Sequence, residues 1–475
     1  MEFNMPIVKG IKSYLGANPV AFHMPGHKLG KGLSKEVFND ITAMDLTEIP
    51  YLDNLHFPEG IIEQAQKLAA NAFGAEETFF LVNGSTCGIH AIIMTICRPG
   101  DKLIVSRDCH KSVINGMMLA GVEPIYISPG YDEAFGIPTV IAADNLKESF
   151  ENNPDCVGVL ITRPNYYGVC SDLKEIADIT HSYNKILAVD EAHGSHLKFN
   201  KKLPQCAMEL GADICVQSAH KTLPALTQGA FLHVKSQKID VERLKFNLNI
   251  LQTTSPSYII MSALDYSRAL MEIEGEALLD KLIDNIDWFN NSLKSYGEFN
   301  ILSDEKLEYG CMDKTRIVIN VIKNGITGYK VEMLLRENYN IQVEMSDYNN
   351  IVCIATVSDI KEAFEKLLYG LGGIYDKTYR SVEINKIIYS KYNLPERAVL
   401  LKDIFKYKSC KLGLKEAVGK VCRGTITPYP PGVPVICPGE LIKEEAVEEI
   451  INIIKYGGKV NGVSEDNKIE IIDIK

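Results

Sequence analysis

Ser218-Ala219-His220-Lys221-Thr222 follows the apolar run Ile214-Cys215-Val216, and Val189-Asp190-Glu191-Ala192-His193 prolongs the run Ile186-Leu187-Ala188. Short apolar runs of this kind read as buried strands. One therefore ends in an amine, Lys221, beside the side chains of Ser218 and His220, and the other ends in a carboxylate, Asp190. The two lie thirty-one residues apart, enough for an intervening segment and a return to the same sheet. Taken alone the pair is ordinary, because in α/β chains an Asp or Lys after a strand more often caps a helix or faces solvent.

Outward from this stretch, strand-like and helix-like segments alternate. Residues 61–73 place Ile61, Ile62, Ala65, Leu68, Ala69, Ala72 and Phe73 at helical spacing. Residues 78–82 read as a strand, and Asn83-Gly84-Ser85-Thr86 as a turn into a helix over 87–97. Strands follow at 103–105, 124–127, 156–162, 186–189, 214–217 and 230–234, with helices at 110–120 and 173–183. The pattern predicts an α/β fold, a mostly parallel sheet with helices on both faces. Such sheets bind ligands beyond the carboxyl ends of their strands, where Ser85, Asp190 and Lys221 would all sit. A glycine turn, two hydroxyls and a helix N-terminus at 83–86 make an anion cradle, although an ordinary N-cap by Ser85 or Thr86 reads that stretch equally well. Carboxylate, amine and cradle together suit pyridoxal phosphate, whose aldehyde needs a lysine and whose pyridine nitrogen needs an acid.

Composition narrows the function classes. The 475 residues are 46% hydrophobic and 23% charged, as in globular chains with two or three domains. Fifty basic against 61 acidic residues give −11, which argues against a nucleic-acid partner and suits a cationic small substrate. No apolar run could span a bilayer and the first twelve residues lack a signal-peptide core, so a cytoplasmic location is expected. The twelve cysteines form no C-x-x-C pair, and Cys97, Cys156, Cys215 and Cys353 sit in apolar runs as small buried hydrophobes. His23 and His27 flank Pro25-Gly26, which forbids the helix that a metal pair at that spacing needs, so a loop lining a pocket is expected. His193 and His196 lack a neighbouring thiol or carboxylate cluster, and no metal is expected there either.

Beyond residue 243 comes a long helical region to Tyr296. A smaller α/β unit follows, with strands at 316–321, 341–345 and 351–355 and helices at 329–338 and 358–371. A third region, from about 382, carries Thr427-Pro428-Tyr429-Pro430-Pro431-Gly432-Val433-Pro434 and a helix at 444–456.

Several motifs in one order carry a resemblance. They are Phe22-His23-Met24-Pro25-Gly26-His27-Lys28, Asp45-Leu46-Thr47-Glu48, His56-Phe57-Pro58-Glu59-Gly60, Phe80-Leu81-Val82-Asn83-Gly84-Ser85-Thr86 and Cys109-His110-Lys111-Ser112. After them come Val189-Asp190-Glu191-Ala192-His193-Gly194, Ser218-Ala219-His220-Lys221, Thr254-Ser255-Pro256-Ser257-Tyr258 and the proline stretch from Pro428 to Pro434. With these the chain resembles, over nearly its whole length, the Orn/Lys/Arg decarboxylases of fold type I, in their short bacterial form. The resemblance implies a segment at 1–47 lining the site, a large cofactor-binding domain at 48–300, a small α/β domain at 301–378 and a C-terminal domain at 379–475. It implies that Lys221 holds pyridoxal phosphate covalently and later yields it to the substrate amine, and that Asp190 keeps the pyridine nitrogen protonated. His110 would stack on the ring. Ser85, Thr86, Ser218 and His220 would hold the phosphate, and His193, taken as one helical turn past Asp190, would lie near the ring edge or serve a structural hydrogen bond. Ser255 would reach the phosphate of a neighbouring subunit, since sites of this fold type form at a dimer interface.

The expected reaction is α-decarboxylation of a basic amino acid, arginine before lysine or ornithine, giving an amine for polyamine synthesis or, as the alternative role, for acid resistance. Lys221 or His220 would return a proton to Cα, and Glu440 and Asp347 are candidates for the cationic end of the substrate. One departure bears on specificity: Arg423-Gly424 stands where relatives carry a small and then an acidic residue, so Arg423 could repel a cation. Two other readings stay open. An aminotransferase or aldolase of the same fold would use a small-domain arginine, Arg316 or Arg336, for the α-carboxylate, and a non-catalytic paralogue would keep the cofactor without turnover.

Overall fold

The computed structural model describes residues 16, 18–23, 26–38, 41, 44–49, 52–296, 299–376, 394–429 and 432–473. Its centre is a seven-stranded sheet of β1 (Glu77–Leu81), β2 (Lys102–Ser106), β3 (Glu123–Ile127), β4 (Gly158–Thr162), β5 (Ile186–Asp190), β6 (Ile214–Gln217) and β7 (Ala230–Val234). The order across the sheet is β1-β7-β6-β5-β4-β2-β3. Strands β6, β5, β4, β2 and β3 pair in parallel, whereas β7 runs antiparallel to both β6 and β1. The mostly parallel sheet is therefore present with one reversed strand, which the apolar run at 230–234 could not reveal because parallel and antiparallel buried strands share that composition.

Alternate residues of each strand feed two cores, as a pleated strand buried on both faces must. Leu187 and Val189 of β5 point into one, with Phe73, Phe80, Phe231 and Leu264, and Ala188 points into the other, with Ile92, Val113, Val216 and Leu244. Helices α1 (Ile61–Phe73) and α2 (Gly84–Ile96) lie on opposite faces. The buried face of α1 differs from the apolar spacing: Ile61 and Leu68 are exposed, and Gln66 is buried in their stead. Gln66 Oε1 accepts the Phe80 N–H at 2.9 Å, a backbone group that burial would otherwise orphan. Phe73 at the end of the same face is fully buried, and its truncation to Ala would cost about 3–5 kcal/mol.

The helical region after 243 divides into Val241–Leu251 and the 37-residue helix Tyr258–Lys294. The smaller α/β unit forms a four-stranded sheet of Asn300–Ile301, Arg316–Asn320, Met345–Ser346 and Asn350–Ile354, with helices Gly328–Tyr339 and Lys361–Asp376. The strand expected at 341–345 breaks in two at Glu344, and its first part, Ile341–Val343, pairs with Val20–Phe22. In the last region, Ser409–Gly413, Val421–Cys422 and Lys468–Ile472 form a sheet covered by Glu444–Lys455. The junction expected at 378–379 lies outside the described residues, as do Met24, Pro25, Pro430 and Pro431.

Candidate active site

Strands β1, β5 and β6 deliver their carboxyl ends to one place. Asp190 closes β5 and pairs with Val216 of β6, after which Gln217 and Ser218 lead into a single helical turn, Ala219–Thr222, carrying Lys221. Lys221 Nζ lies 3.1 Å from His193 Nε2. Burial pulls the Lys221 amine below its ordinary value, against the charges of Asp190 and Glu344, and Arg316 pulls the same way as burial. Burial pushes the Asp190 carboxyl up, opposed by Lys221 and by the Ala192 N–H, which donates to Oδ1 at 3.1 Å. The expected amine and acid thus share one buried electrostatic environment.

Beside them α2 begins three residues earlier than its apolar spacing indicates. Gly84, at φ +78°, turns the chain directly into the helix, a conformation that glycine adopts without strain, and its N–H donates to Gln228 O at 2.9 Å. Ser85 and Thr86 therefore occupy the first turn rather than precede it. Asn83 at the N-cap makes no side-chain cap bond, so the leading N–H groups of a 13-residue helix lack the usual carboxamide cap. Ser218 Oγ donates to Ser85 Oγ at 2.7 Å, which brings two hydroxyls together at that helix start, and Thr86 is exposed there. The group fits a phosphate.

His110 is the N-cap of the helix Lys111–Ala120, its Nδ1 accepting from Ser112 N at 3.2 Å and lying 2.8 Å from Ser112 Oγ. The polar helix-start contact is real, and it also fixes the ring, whose charged form burial and Lys221 disfavour, bringing its pKa down to about 3. His220 Nδ1 lies 3.1 Å from the Gly229 carbonyl, so that nitrogen carries the proton, and burial brings this histidine down to about 4. No helix follows Asp190: His193 sits in a turn, with Nδ1 2.7 Å from Arg316 Nη2 and the Tyr166 ring edge-on at 4.8 Å. His196 faces elsewhere, 3.2 Å from Asp313 Oδ1, and among the described residues no cluster of His, Cys, Asp and Glu could hold a metal. Ser255 is exposed, in a loop whose Thr253 N–H donates to Asn83 Oδ1 at 3.3 Å.

The smaller sheet brings in Arg316, named from the sequence for an α-carboxylate, and Glu344, which the sequence did not mark. Arg316 is buried beneath His193, and its Nε and Nη1 have no hydrogen-bond partner. Glu344 lies at the strand break within electrostatic reach of Lys221 and Arg316, and the Tyr166 hydroxyl is 3.5 Å from its Oε1. Tyr166 had a signal, since it comes after the carboxyl end of β4 as Asp190 closes β5; Glu344 had none. Arg336, by contrast, is on the surface, where it pairs with Glu332 and Gln342.

Of the expectations about the substrate's far end, those for Glu440 and Arg423 are corrected. Glu440 is paired with buried Arg107 at 3.1 Å and accepts the Cys437 N–H at 2.7 Å. Asp347 holds a turn, accepting from Tyr167 Oη at 2.9 Å and from the N–H groups of Asn349 and Asn350, and it also stands in the wall of the cavity beside Tyr166. Arg423 does not face a substrate: it binds Glu470 at 2.9 Å and lies over Phe405. A cavity of about 180 Å³ opens beside Tyr166, walled by Asp108, Tyr131, Tyr167, Asp347 and Glu445. Asp108 is buried, accepts from Ser106 Oγ, and has its carboxyl pushed up to about 6 by burial.

Residues 5–317 match the family model for the Orn/Lys/Arg decarboxylase major domain, and residues 391–461 match that for its C-terminal domain. The chain belongs to the Orn/Lys/Arg decarboxylase family. Its sequence is 36% identical to an arginine decarboxylase of Bacillus subtilis, over 100% of this chain and 98% of that one. Among solved structures this decarboxylase superposes on the lysine decarboxylase LdcF of Francisella novicida with a TM-score of 0.80 at 22% identity, covering 93% of this chain and 75% of the other. An alanine–glyoxylate aminotransferase from Nostoc matches with a TM-score of 0.59 at 16% identity, over 75% of this chain and 95% of that one. The fold is thus one that decarboxylases and aminotransferases share. No helix among the described residues is long and apolar enough to cross a membrane.

Proposed function

We propose that this decarboxylase removes the α-carboxylate of arginine, with lysine and ornithine the next candidates, using pyridoxal phosphate bound at Lys221. The observation that carries the reading is the placing of half-buried Lys221 and buried Asp190 together at the ends of adjacent parallel strands, beside the serine-lined start of α2. When bound, the cofactor would supply an electron sink for the pair left at Cα. Asp190 would hold its ring nitrogen, Ser85, Thr86 and Ser218 its phosphate, and His110 one face of its ring; His220, expected at the phosphate, donates its one proton to Gly229 O instead. Lys221 is the residue we assign to returning a proton to Cα, one it takes from the substrate's ammonium group. His220, neutral with its one proton donated to Gly229 O, has none to give. The cavity behind Tyr166 would take the cationic end of the substrate, with Asp108 and the tyrosine faces as its complement. We read the chain as the four units 1–47, 48–300, 301–378 and 379–475. It would act in the cytoplasm as a homodimer, with the partner subunit's Ser255 completing the phosphate site.

One observation favours a second reading. Arg316, half-satisfied and buried next to His193, has free donors for an α-carboxylate, as an aminotransferase would need. The experiment is product analysis of the protein reconstituted with pyridoxal phosphate and given arginine, lysine, ornithine and neutral amino acids, with and without a keto acid as amino acceptor. Carbon dioxide and the matching amine in equal amounts, lost in Lys221→Ala, are expected. Keto acid without carbon dioxide would establish transamination instead, and no turnover of any amino acid would leave only cofactor binding.

A further inference from the structure

Arg316, His193 and Lys221 form a line of two hydrogen bonds, 2.7 Å from Arg316 Nη2 to His193 Nδ1 and 3.1 Å from His193 Nε2 to Lys221 Nζ. A guanidinium only donates, so the first bond makes Nδ1 an acceptor. A neutral imidazole whose Nδ1 accepts carries its single proton on Nε2. That N–H points at Lys221 Nζ, and an ammonium has no lone pair with which to receive it. Both bonds are satisfied together only when Lys221 is the free amine.

We infer that Arg316 is a positioning residue which, by fixing the proton of His193 on Nε2, holds Lys221 as an uncharged nucleophile. The inference rests on reading Lys221 as the residue that captures the cofactor's aldehyde, since only the unprotonated amine attacks a carbonyl. The surroundings bear on the same balance. Asp190 and Glu344 face Lys221 and favour its ammonium, while burial and Arg316 oppose it. His193 meets burial, Lys221, Arg316, His110 and His220, all of which disfavour its cation. The edge of Tyr166 closes the remaining side of the imidazole. Arg316 is itself positioned where its strand begins: its N–H donates to Asp313 O at 3.0 Å, and Asp313 Oδ1 is held by Thr315 and His196.

The test reads Lys221 directly, without cofactor or amino-acid substrate. The full chain, freed of carbonyl ligands, is labelled with isotopic formaldehyde and cyanoborohydride across the range from about pH 6 to about pH 10, and Lys221 methylation is followed by peptide mass spectrometry. Arg316→Gln removes the charge and the obligate donor. Its labelling midpoint should rise by about one unit or more, so that Lys221 labelling near neutrality falls about tenfold. Arg316→Lys keeps a charged donor and should restore most of the profile. His193→Gln can accept from Arg316 and donate to Lys221 as the fixed tautomer does, whereas His193→Leu can do neither. The first should hold the midpoint and the second should raise it, even if Arg316→Gln does not fold. Superimposed profiles for folded Arg316→Gln and the unchanged protein, or for His193→Gln and His193→Leu, would overturn the inference. Failure to decarboxylate any amino acid would leave this titration standing, and an ordinary Lys221 titration would leave decarboxylation standing.

Discussion

Replacing Arg107 by Met probes how the C-terminal region is fastened over the site. The side chains of Arg107 and Glu440 are 3% and 1% exposed, and they meet at 3.1 Å. Arg107 also donates to the carbonyls of Pro434 at 2.7 Å and Val435 at 3.1 Å, a few residues past Gly432, whose carbonyl accepts from Lys111 beside His110 at 3.2 Å. Arg107→Met keeps the aliphatic stem and strips these bonds. Glu440 then stays buried with one backbone N–H, and an uncompensated buried charge costs about 3–5 kcal/mol. At about 1.4 kcal/mol per decade, that is roughly two to three and a half orders of magnitude in the opening equilibrium. A chain with several cores does not unfold in one step, so the measurement is local hydrogen exchange. The amides of Cys422, Gly439 and Ile442 cross-link this region and should exchange faster by that factor.

The pH dependence has a definite sign. Burial raises the Glu440 carboxyl and Arg107 opposes the rise, so removing Arg107 raises it further. A group raised in the folded state stabilises fully below its unfolded pKa, and that contribution is lost as pH rises through the folded value. The deficit of Arg107→Met should therefore be smaller at about pH 5 than at about pH 8, and adding Glu440→Gln should recover most of it at the higher pH. Acceleration of less than about tenfold at pH 8, or a deficit equal at both pH values, would refute the reasoning.

Other outcomes rest on the same geometry. Ser218→Ala, which removes the partner of Ser85, should weaken pyridoxal phosphate about tenfold while leaving unphosphorylated pyridoxal nearly unchanged, as read by equilibrium dialysis. Asp108→Asn should raise KM for a cationic substrate about tenfold with a smaller change in kcat, and equal loss in both would place Asp108 outside the substrate pocket. Burial brings His110, His220 and His233 down to about 3, 4 and 3. Each contributes stability present above the unfolded value near 6.5 and lost as pH falls towards the folded one, so melting temperature should drop between about pH 6.5 and pH 4. His233→Gln should flatten that drop, and an unchanged slope would count against a buried neutral His233. Cys170 and Cys311 face each other across an antiparallel pair, and the Cys170 hydrogen bond brings Cys311 down to about 7. Diamide, which takes up the two electrons and two protons, should join these two thiols first, as peptide mapping would show.

The sheet and the placing of Asp190, Lys221 and Ser85 at the ends of its strands could be read from the chain unaided, because each is local. A strand is an apolar run, and the residues next in the chain stand at its carboxyl end. Asp190, Lys221 and Ser85 were legible for that reason, and the order of family motifs tied them to one fold. Orientation within the sheet was not legible, since β7 has the same composition whichever way it runs. Nor was the rotation of α1, where Gln66 is buried for the sake of one N–H in a different element. Packing of the two sheets was needed to bring Arg316 and Glu344 to Lys221, across about a hundred residues of chain. It also removed Glu440 and Arg423 from the substrate's path by giving each another partner, while leaving Asp347 in the cavity wall. Charge and position along the chain mark which residues can act. Whether a given charge is free to act depends on what faces it once the chain is packed, and that contact is between residues the sequence keeps far apart.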